Sequence, residues 1–322
     1  MLIISLLIVG RIAAASWSNV LQKRAINDTR VLGERPTALE MLLAIWMLMV
    51  AVLAPWWGSA VWQSLVTPFL QEQTDAPKWF AFWGWMTIAC ALEMPGNLLL
   101  LRSIQRTDLS IFGPLSSYKP IVGMLLGWWI LAEIPTLLGA IGMGIVLGGS
   151  LLLTDRSRSN TKHGDMKTGV TKLGITDPGV RDRLLAVALT AAGSIFLKLA
   201  MKHQGTLTSL AVWSLVSWLL ALAWLTLESL KSRSNRIATP RFMRVAIQPN
   251  VLGIAGSMIV MQWLTIAVFQ MMHVGYALAL FQLGSLVSVY LGHRLFGEVD
   301  FWRRMLAASI MFVGASLIVL AG

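Results

Sequence analysis

The chain has 322 residues, of which 56% are hydrophobic and only 13% charged, where a soluble domain carries about 25% charged residues. That deficit excludes a soluble protein of this length, which would lack the polar groups needed to cover its surface. The net charge of +11 would suit nucleic-acid binding only if a polar domain carried it, and with none present no nucleic-acid partner is expected.

A helix that crosses a bilayer needs about 20 mostly apolar residues. Ten segments reach that length: 2–22, 38–58, 79–101, 109–131, 135–154, 183–203, 207–228, 250–270, 274–293 and 301–321. In lipid every backbone polar group has to be satisfied within the segment, so segments of this length are read as helices. The first resembles a signal peptide in having Ala13-Ala14-Ala15 after an apolar run. It lacks a basic start, and Arg11 interrupts the run, so it is read as a retained helix with a charge near its middle.

The third segment carries Glu93 near its centre and Asn97 four residues on, which places both on one helix face. Cys90, the one cysteine, lies in the same apolar stretch; it excludes an intrachain disulfide and reads as a small buried residue. The fourth segment carries Tyr118, Lys119 and Pro120, and the proline should loosen the helix beside the lysine. Ile134-Pro135 leaves almost nothing between the fourth and fifth segments, so these two form an antiparallel hairpin, with Glu133 placed to cap the N-terminus of the fifth. Gly139, Gly142, Gly144, Gly148 and Gly149 give the fifth helix small-residue faces for close packing.

Residues 155–182 are rich in Ser, Thr, Lys, Asp and Gly and read as a polar linker between a first half, 1–154, and a second half, 183–322. In the second half, Gln262 lies within the eighth segment and Tyr276, Gln282 and Tyr290 within the ninth. His273 and His293 stand at the ends of the ninth and suit an interfacial place. Glu298, ahead of the short Val299-Asp300 turn, repeats the position of Glu133. The 15 tryptophans, among them Trp56-Trp57, Trp79, Trp83, Trp85 and Trp128-Trp129, read as a belt at the two membrane surfaces.

The two halves carry traces of duplication. Shifting 101–154 forward by 165 positions aligns Gln105 with Gln270, Gly127 with Gly292, Glu133 with Glu298 and Gly149 with Gly314. A shift of 178 aligns Ala13, Ala14, Ser16 and Leu21 with Ala191, Ala192, Ser194 and Leu199. Five helices per half is an odd number, so the halves cross the membrane in opposite senses, an inverted repeat. Alternate connectors hold 4, 2, 7, 5 and 3 Lys and Arg residues, cations at the flanking helix ends included, against 3 on the opposite side. The positive-inside rule places the richer side in the cytoplasm and both termini outside.

Several of these residues are similar to a known pattern. Trp17-Ser18-Asn19 with Lys23 looks like the end of a first helix, and Pro120, Gly127 and Glu133 like a fourth, in the EamA-like members of the drug/metabolite transporter superfamily. Leu291-Gly292 and Glu298 repeat the second pattern, with Ser285 where that family often has proline. The resemblance covers essentially the whole chain. It implies ten transmembrane helices in two inverted five-helix repeats, a central cavity, and export or exchange of small metabolites by alternating access. It also implies a multi-pass protein of the bacterial inner membrane with cytoplasmic termini, the reverse of what the loop charges give.

Charges in mid-membrane cost about 2.5–3.5 kcal/mol each on insertion scales and mark functional sites. The expected substrate site therefore holds Arg11, Lys119 and Glu93, the cations attracting an anionic substrate and Glu93 pairing with one of them or carrying a coupling proton. Asn97, Tyr118, Gln262, Tyr276 and Gln282 are the expected polar lining, with Pro120, Glu133 and Glu298 structural. The equivalents of the three charged residues in the second half, near Leu189, Met258 and Gly284, are uncharged. The competing reading of the charges is an ion pair that pins helices together. No phosphate-binding loop, zinc spacing or nucleophile elbow is present, so the chain is read as a non-enzymatic secondary transporter without cofactor. Its partners would be a small-molecule substrate and membrane lipids, its state a monomer or homodimer. A non-transporting scaffold and an enzyme acting on lipid-linked substrates are the alternatives.

Overall fold

A computed structural model of the chain describes residues 2–27, 36–65, 76–106, 118–154, 178–231, 239–284, 287 and 301–321. Among these, all regular structure is helical. The helices are α1 (Leu2–Asn27), α2 (Ala38–Leu65), α3 (Ala76–Arg106), α4 (Tyr118–Leu131), α5 (Leu137–Thr154), α6 (Pro178–Met201), α7 (Thr206–Lys231), α8 (Thr239–Ala246), α9 (Pro249–Met271), α10 (Val274–Phe281) and α11 (Phe301–Ala321).

Six of them, α1, α2, α3, α6, α7 and α9, contain stretches long and apolar enough to cross a membrane, as in a multi-pass membrane protein. Three of the remaining expected spans contribute shorter apolar stretches, Tyr118–Leu131, Leu137–Gly149 and Ser309–Leu320. The ninth is described as α10 and a few residues beyond it. Tyr290, His293, Glu298 and the Leu291-Gly292 pair lie outside the described residues.

Local chemistry sets several helix ends. Thr37 and Glu40 form a capping box at the start of α2: the Glu40 N–H donates to Thr37 Oγ1 at 3.2 Å, and the Thr37 N–H donates to Glu40 Oε2 at 2.8 Å. The polar linker was expected to reach residue 182, but α6 begins at Pro178. Proline suits a first helical position because its missing N–H would find no helical partner there. The stretch expected as a connector between the seventh and eighth segments contains α8, whose Phe242, Val245 and Ala246 are buried at helical spacing. Pro55 and Pro95 lie inside α2 and α3 without ending either helix.

The chain forms two compact units, and each draws on both halves of the sequence rather than following 1–154 and 183–322. One comprises residues 2–94 and 193–271. In it α1 packs against α9, α2 against α7, and α8 against α2. Gly10 lets α1 approach Leu264, and Gly253 lets α9 approach Leu21. Met41, Leu43, Ile45, Trp46 and Met49 of α2 are fully buried, and Trp46 meets Trp213 edge to face with ring centroids 6.4 Å apart.

The other unit comprises residues 95–192 and 272–322. There α4 packs against α10, and α5 against α11. The second pair crosses at two glycines: a Cβ added to Gly142 would lie 2.7 Å from the Gly314 carbonyl oxygen, and one added to Gly314 would lie 2.6 Å from that of Gly142. Gly139 accommodates the Tyr276 ring, whereas Gly144 and Gly148 have nothing within 4 Å. The small-residue face of α5 is thus used at Gly139 and Gly142. Gly96 of α3 admits Thr190 of α6 in the same unit.

Candidate functional site

Glu93 lies on α3 within the apolar stretch Phe80–Ser103, and it is buried, with 7% exposure. The indole Nε1–H of Trp213, on α7, donates to its Oε2 at 2.7 Å. That is a short, charge-assisted bond between groups 120 residues apart. The backbone of the same tryptophan is engaged too: its carbonyl accepts from the Cys90 thiol, one turn before Glu93, at 3.7 Å. Ser209 and Ser217, one turn on either side of Trp213, are both fully buried. On α6, Gly193 faces the Glu93 side chain; an added Cβ would collide with Glu93 Cγ and lie 3.2 Å from the Ala89 carbonyl oxygen. A spanning helix therefore presents a carboxylate to an indole donor on one side and to bare backbone on the other.

Arg11 belongs to the same unit and is half-buried. Its Nε–H donates to Thr265 Oγ1 of α9 at 3.4 Å, and that hydroxyl in turn donates to the Met261 carbonyl at 2.7 Å. Gln262, on the same stretch of α9, is buried, with 9% exposure. The α1–α9 contact thus holds a cation within helices of high hydropathy, and the second of them carries a buried amide.

Lys119 belongs to the other unit, on α4. It is half-buried, Tyr118 before it is exposed and Pro120 after it is buried. Asn97 and Gln282 are half-buried members of that unit as well. The sequence-derived set thus divides: Arg11, Glu93 and Gln262 fall in one compact unit, and Lys119, Asn97, Tyr118, Tyr276 and Gln282 in the other.

Tyr276 is 2% exposed and lies over Gly139. Its hydroxyl is 3.3 Å from Thr136 Oγ1 and reaches the Thr136 carbonyl at 3.4 Å. His273 stands beside it, ring centroids 5.3 Å apart. Glu133 caps a helix, but not the one expected. The N–H of Gly139 donates to Thr136 Oγ1 at 3.2 Å, so Thr136 caps α5. The Glu133 carboxylate instead accepts the N–H of Val274, the first residue of α10, at 3.0 Å. The turn that aims it includes Ala132, whose φ of 54° lies in the left-handed region, and it is closed by the Glu133 N–H donating to the Gly127 carbonyl at 3.2 Å.

No family model and no curated protein matches the chain. Among solved structures 28 chains are similar. One, a crystal structure known only as that of a protein, has a TM-score of 0.60 at 14% identity, covering 99% of this chain and 97% of that one. At that identity the likeness speaks for the fold alone, which is shared from end to end rather than in one half.

The tryptophans take two kinds of place. Trp56, Trp128 and Trp129 are exposed, at 48%, 59% and 82%, as in an interfacial belt. Trp85 stacks on Phe196 with centroids 5.7 Å apart, and Trp213 serves Glu93. Sequence reasoning singled out neither Trp213 nor Thr265. The spacing of Ser209, Trp213 and Ser217 at four-residue intervals is the one trace of a polar-tipped face on α7. Among the described residues, no group of three or more His, Cys, Asp and Glu side chains is placed to hold a metal ion.

Proposed function

We propose that the chain is a secondary transporter that moves a small polar, anionic metabolite by alternating access between two inverted five-helix repeats, as in the drug/metabolite transporter superfamily. The observation that carries this reading is Glu93, kept buried inside an apolar spanning helix by a donor from a second helix. Such a group opposes insertion by a few kcal/mol, and in a scaffold a leucine there would pack with no such cost. Arg11 adds a second charge inside a spanning helix of the same unit.

Helix pairing supports the duplication. Exchanging each helix of one proposed repeat for its counterpart turns the α1–α9 pair into the α6–α3 pair, and it returns α2–α7, α4–α10 and α5–α11 to themselves. In this reading Arg11 and Lys119 attract the substrate, and Glu93 carries the proton or neutralises a cation as the site alternates.

Counterflow into proteoliposomes, with a panel of organic anions, amines and amino acids, tests the proposal. Uptake of an anion is expected, abolished by Lys119→Ala and by Arg11→Ala, and uncoupled from a proton gradient by Glu93→Gln. Wild-type uptake by Lys119→Ala would reject that residue's role, and a folded protein that moves no solute at all would reject transport.

A further inference from the structure

Arg11 stands near the middle of the apolar stretch Leu2–Gln22 of α1, and Thr265 lies in the apolar stretch Pro249–Met271 of α9. Packing brings them together. A Cβ on Gly10 would lie 3.2 Å from Leu264 Cδ1, and one on Gly253 would lie 2.7 Å from Leu21 Cδ1. The two contacts run antiparallel, and side chains this close to bare backbone restrain how far one helix slides along the other. Arg11 and Thr265 directly follow the members of the first contact, so the register that seats Leu264 on Gly10 also delivers the guanidinium to the hydroxyl. Thr265 is buried, with 8% exposure. A hydroxyl has one proton to give. Thr265 gives it to the Met261 carbonyl one turn back, at 2.7 Å, a local bond that fixes the side chain. Oγ1 is then an acceptor only, and it accepts the Arg11 Nε–H at 3.4 Å.

A guanidinium is a planar fork whose donors hold fixed angles to one another, so a partner on Nε restrains the plane in which the two Nη nitrogens lie. Thr265 supplies that partner without a charge, where an acidic side chain would neutralise the cation. We propose that Thr265 is a positioning residue of the anion site: it holds Arg11 by Nε so that a carboxylate of the substrate is met by both Nη nitrogens at once. Two parallel N–H···O bonds match the two oxygens of a carboxylate, which narrows the substrate class to small organic acids. The proposal rests on the reading of the chain as a transporter whose Arg11 attracts the substrate. It adds a residue that acts only through Arg11.

The test uses proteoliposomes of the full chain, loaded in turn with pyruvate, succinate, citrate or benzoate, with ethanesulfonate and ethylamine as controls that lack a carboxylate. Counterflow of the same radiolabelled solute is followed over a range of concentrations. The wild type should move at least one of the four acids. Thr265→Val should raise KM for that acid at least roughly tenfold, the worth of a hydrogen bond to a charged group. Its kcat should stay within about twofold, as a loss of binding alone requires. Thr265→Ser keeps the hydroxyl and should restore the wild-type KM. In an α-helix the Met261 carbonyl also takes the backbone N–H of residue 265, so the valine variant should elute and melt as a folded protein. Thr265→Ala, with the same expected rise in KM, replaces it if it does not. A wild-type KM in the chain without the hydroxyl would overturn the positioning role and leave transport standing. So would a loss confined to kcat, or a serine variant that fails to restore KM. Movement of the sulfonate or the amine with none of the acids would overturn the carboxylate assignment. A wild type that moves nothing would reject the transport reading itself, and this proposal with it.

Discussion

A carboxylate in an apolar helix persists only where something donates to it. For Glu93 the Trp213 indole is such a donor, at 2.7 Å. Trp213→Phe keeps the ring and removes the donor, and the loss should be about 1.5–3 kcal/mol, the range for hydrogen bonds to charged groups. Denaturant titration in micelles reads it as a lower midpoint. In a double-mutant cycle with Glu93→Gln the two losses should be strongly non-additive, and simple additivity would mean that the bond contributes nothing. Ala132 makes the opposite case. At φ 54° its Cβ crowds the following carbonyl, a strain of about 1–2 kcal/mol that glycine lacks. Ala132→Gly should therefore raise the same midpoint by up to about 1 kcal/mol, since glycine's extra freedom when unfolded takes back part of the gain. At this scale the charged residues were legible in the sequence, because Arg11 and Glu93 interrupt apolar runs. Their partners were not. Trp213 and Thr265 look like ordinary members of apolar helices, and they stand 120 and 254 residues away along the chain.

Among elements, the crossing of α5 and α11 tolerates little change. Backbone meets backbone at Gly142 and Gly314, so no flexible side chain can give way. Gly142→Val should leave a chain that aggregates on size-exclusion chromatography, whereas Gly144→Val, with nothing within 4 Å, should elute and melt as the wild type. Composition identified the glycine-rich helix but not which of its faces meets a neighbour, because five glycines spread over eleven positions mark more than one stripe. The Glu133 cap was half legible. A carboxylate before a helix start is a capping signal, yet Thr136 is closer to that start and takes it, freeing Glu133 for the distant N-terminus of α10. Glu133→Gln keeps an acceptor and removes the charge. The expected loss is about 0.3–1 kcal/mol, the usual worth of an anion at a helix N-terminus, read as a small fall in melting temperature. The capping box at Thr37 and Glu40 was there to be read from its spacing of three, and the helix α8 from Phe242, Val245 and Ala246. Both lie in stretches that hydropathy alone treats as connectors or span edges.

For the whole molecule, six of the ten segments that hydropathy marks are helices long and apolar enough to span, as the cost of an unsatisfied backbone in lipid requires. Hydropathy said nothing of partnership. The compact units cut across the sequence halves because helices of the first half pair with helices of the second: α1 with α9, α2 with α7, α4 with α10, α5 with α11. The handful of residues that align at two offsets says nothing of which helix faces meet. Fragments 1–154 and 155–322 should accordingly be degraded when made singly and copurify when coexpressed. Stable accumulation of either alone, measured by immunoblot of membranes, would mean that the halves fold separately.

The reach of the bond between Arg11 and Thr265 also sets a clock for biogenesis. At about 5–20 residues per second, a ribosome that has delivered Arg11 to the membrane needs on the order of 10–50 s to make the hydroxyl it will bond, 254 residues later. Throughout that interval a guanidinium waits in an unfinished protein, and whatever shields it then, whether insertase, lipid phosphate or trapped water, decides how much of the newly made chain escapes quality control.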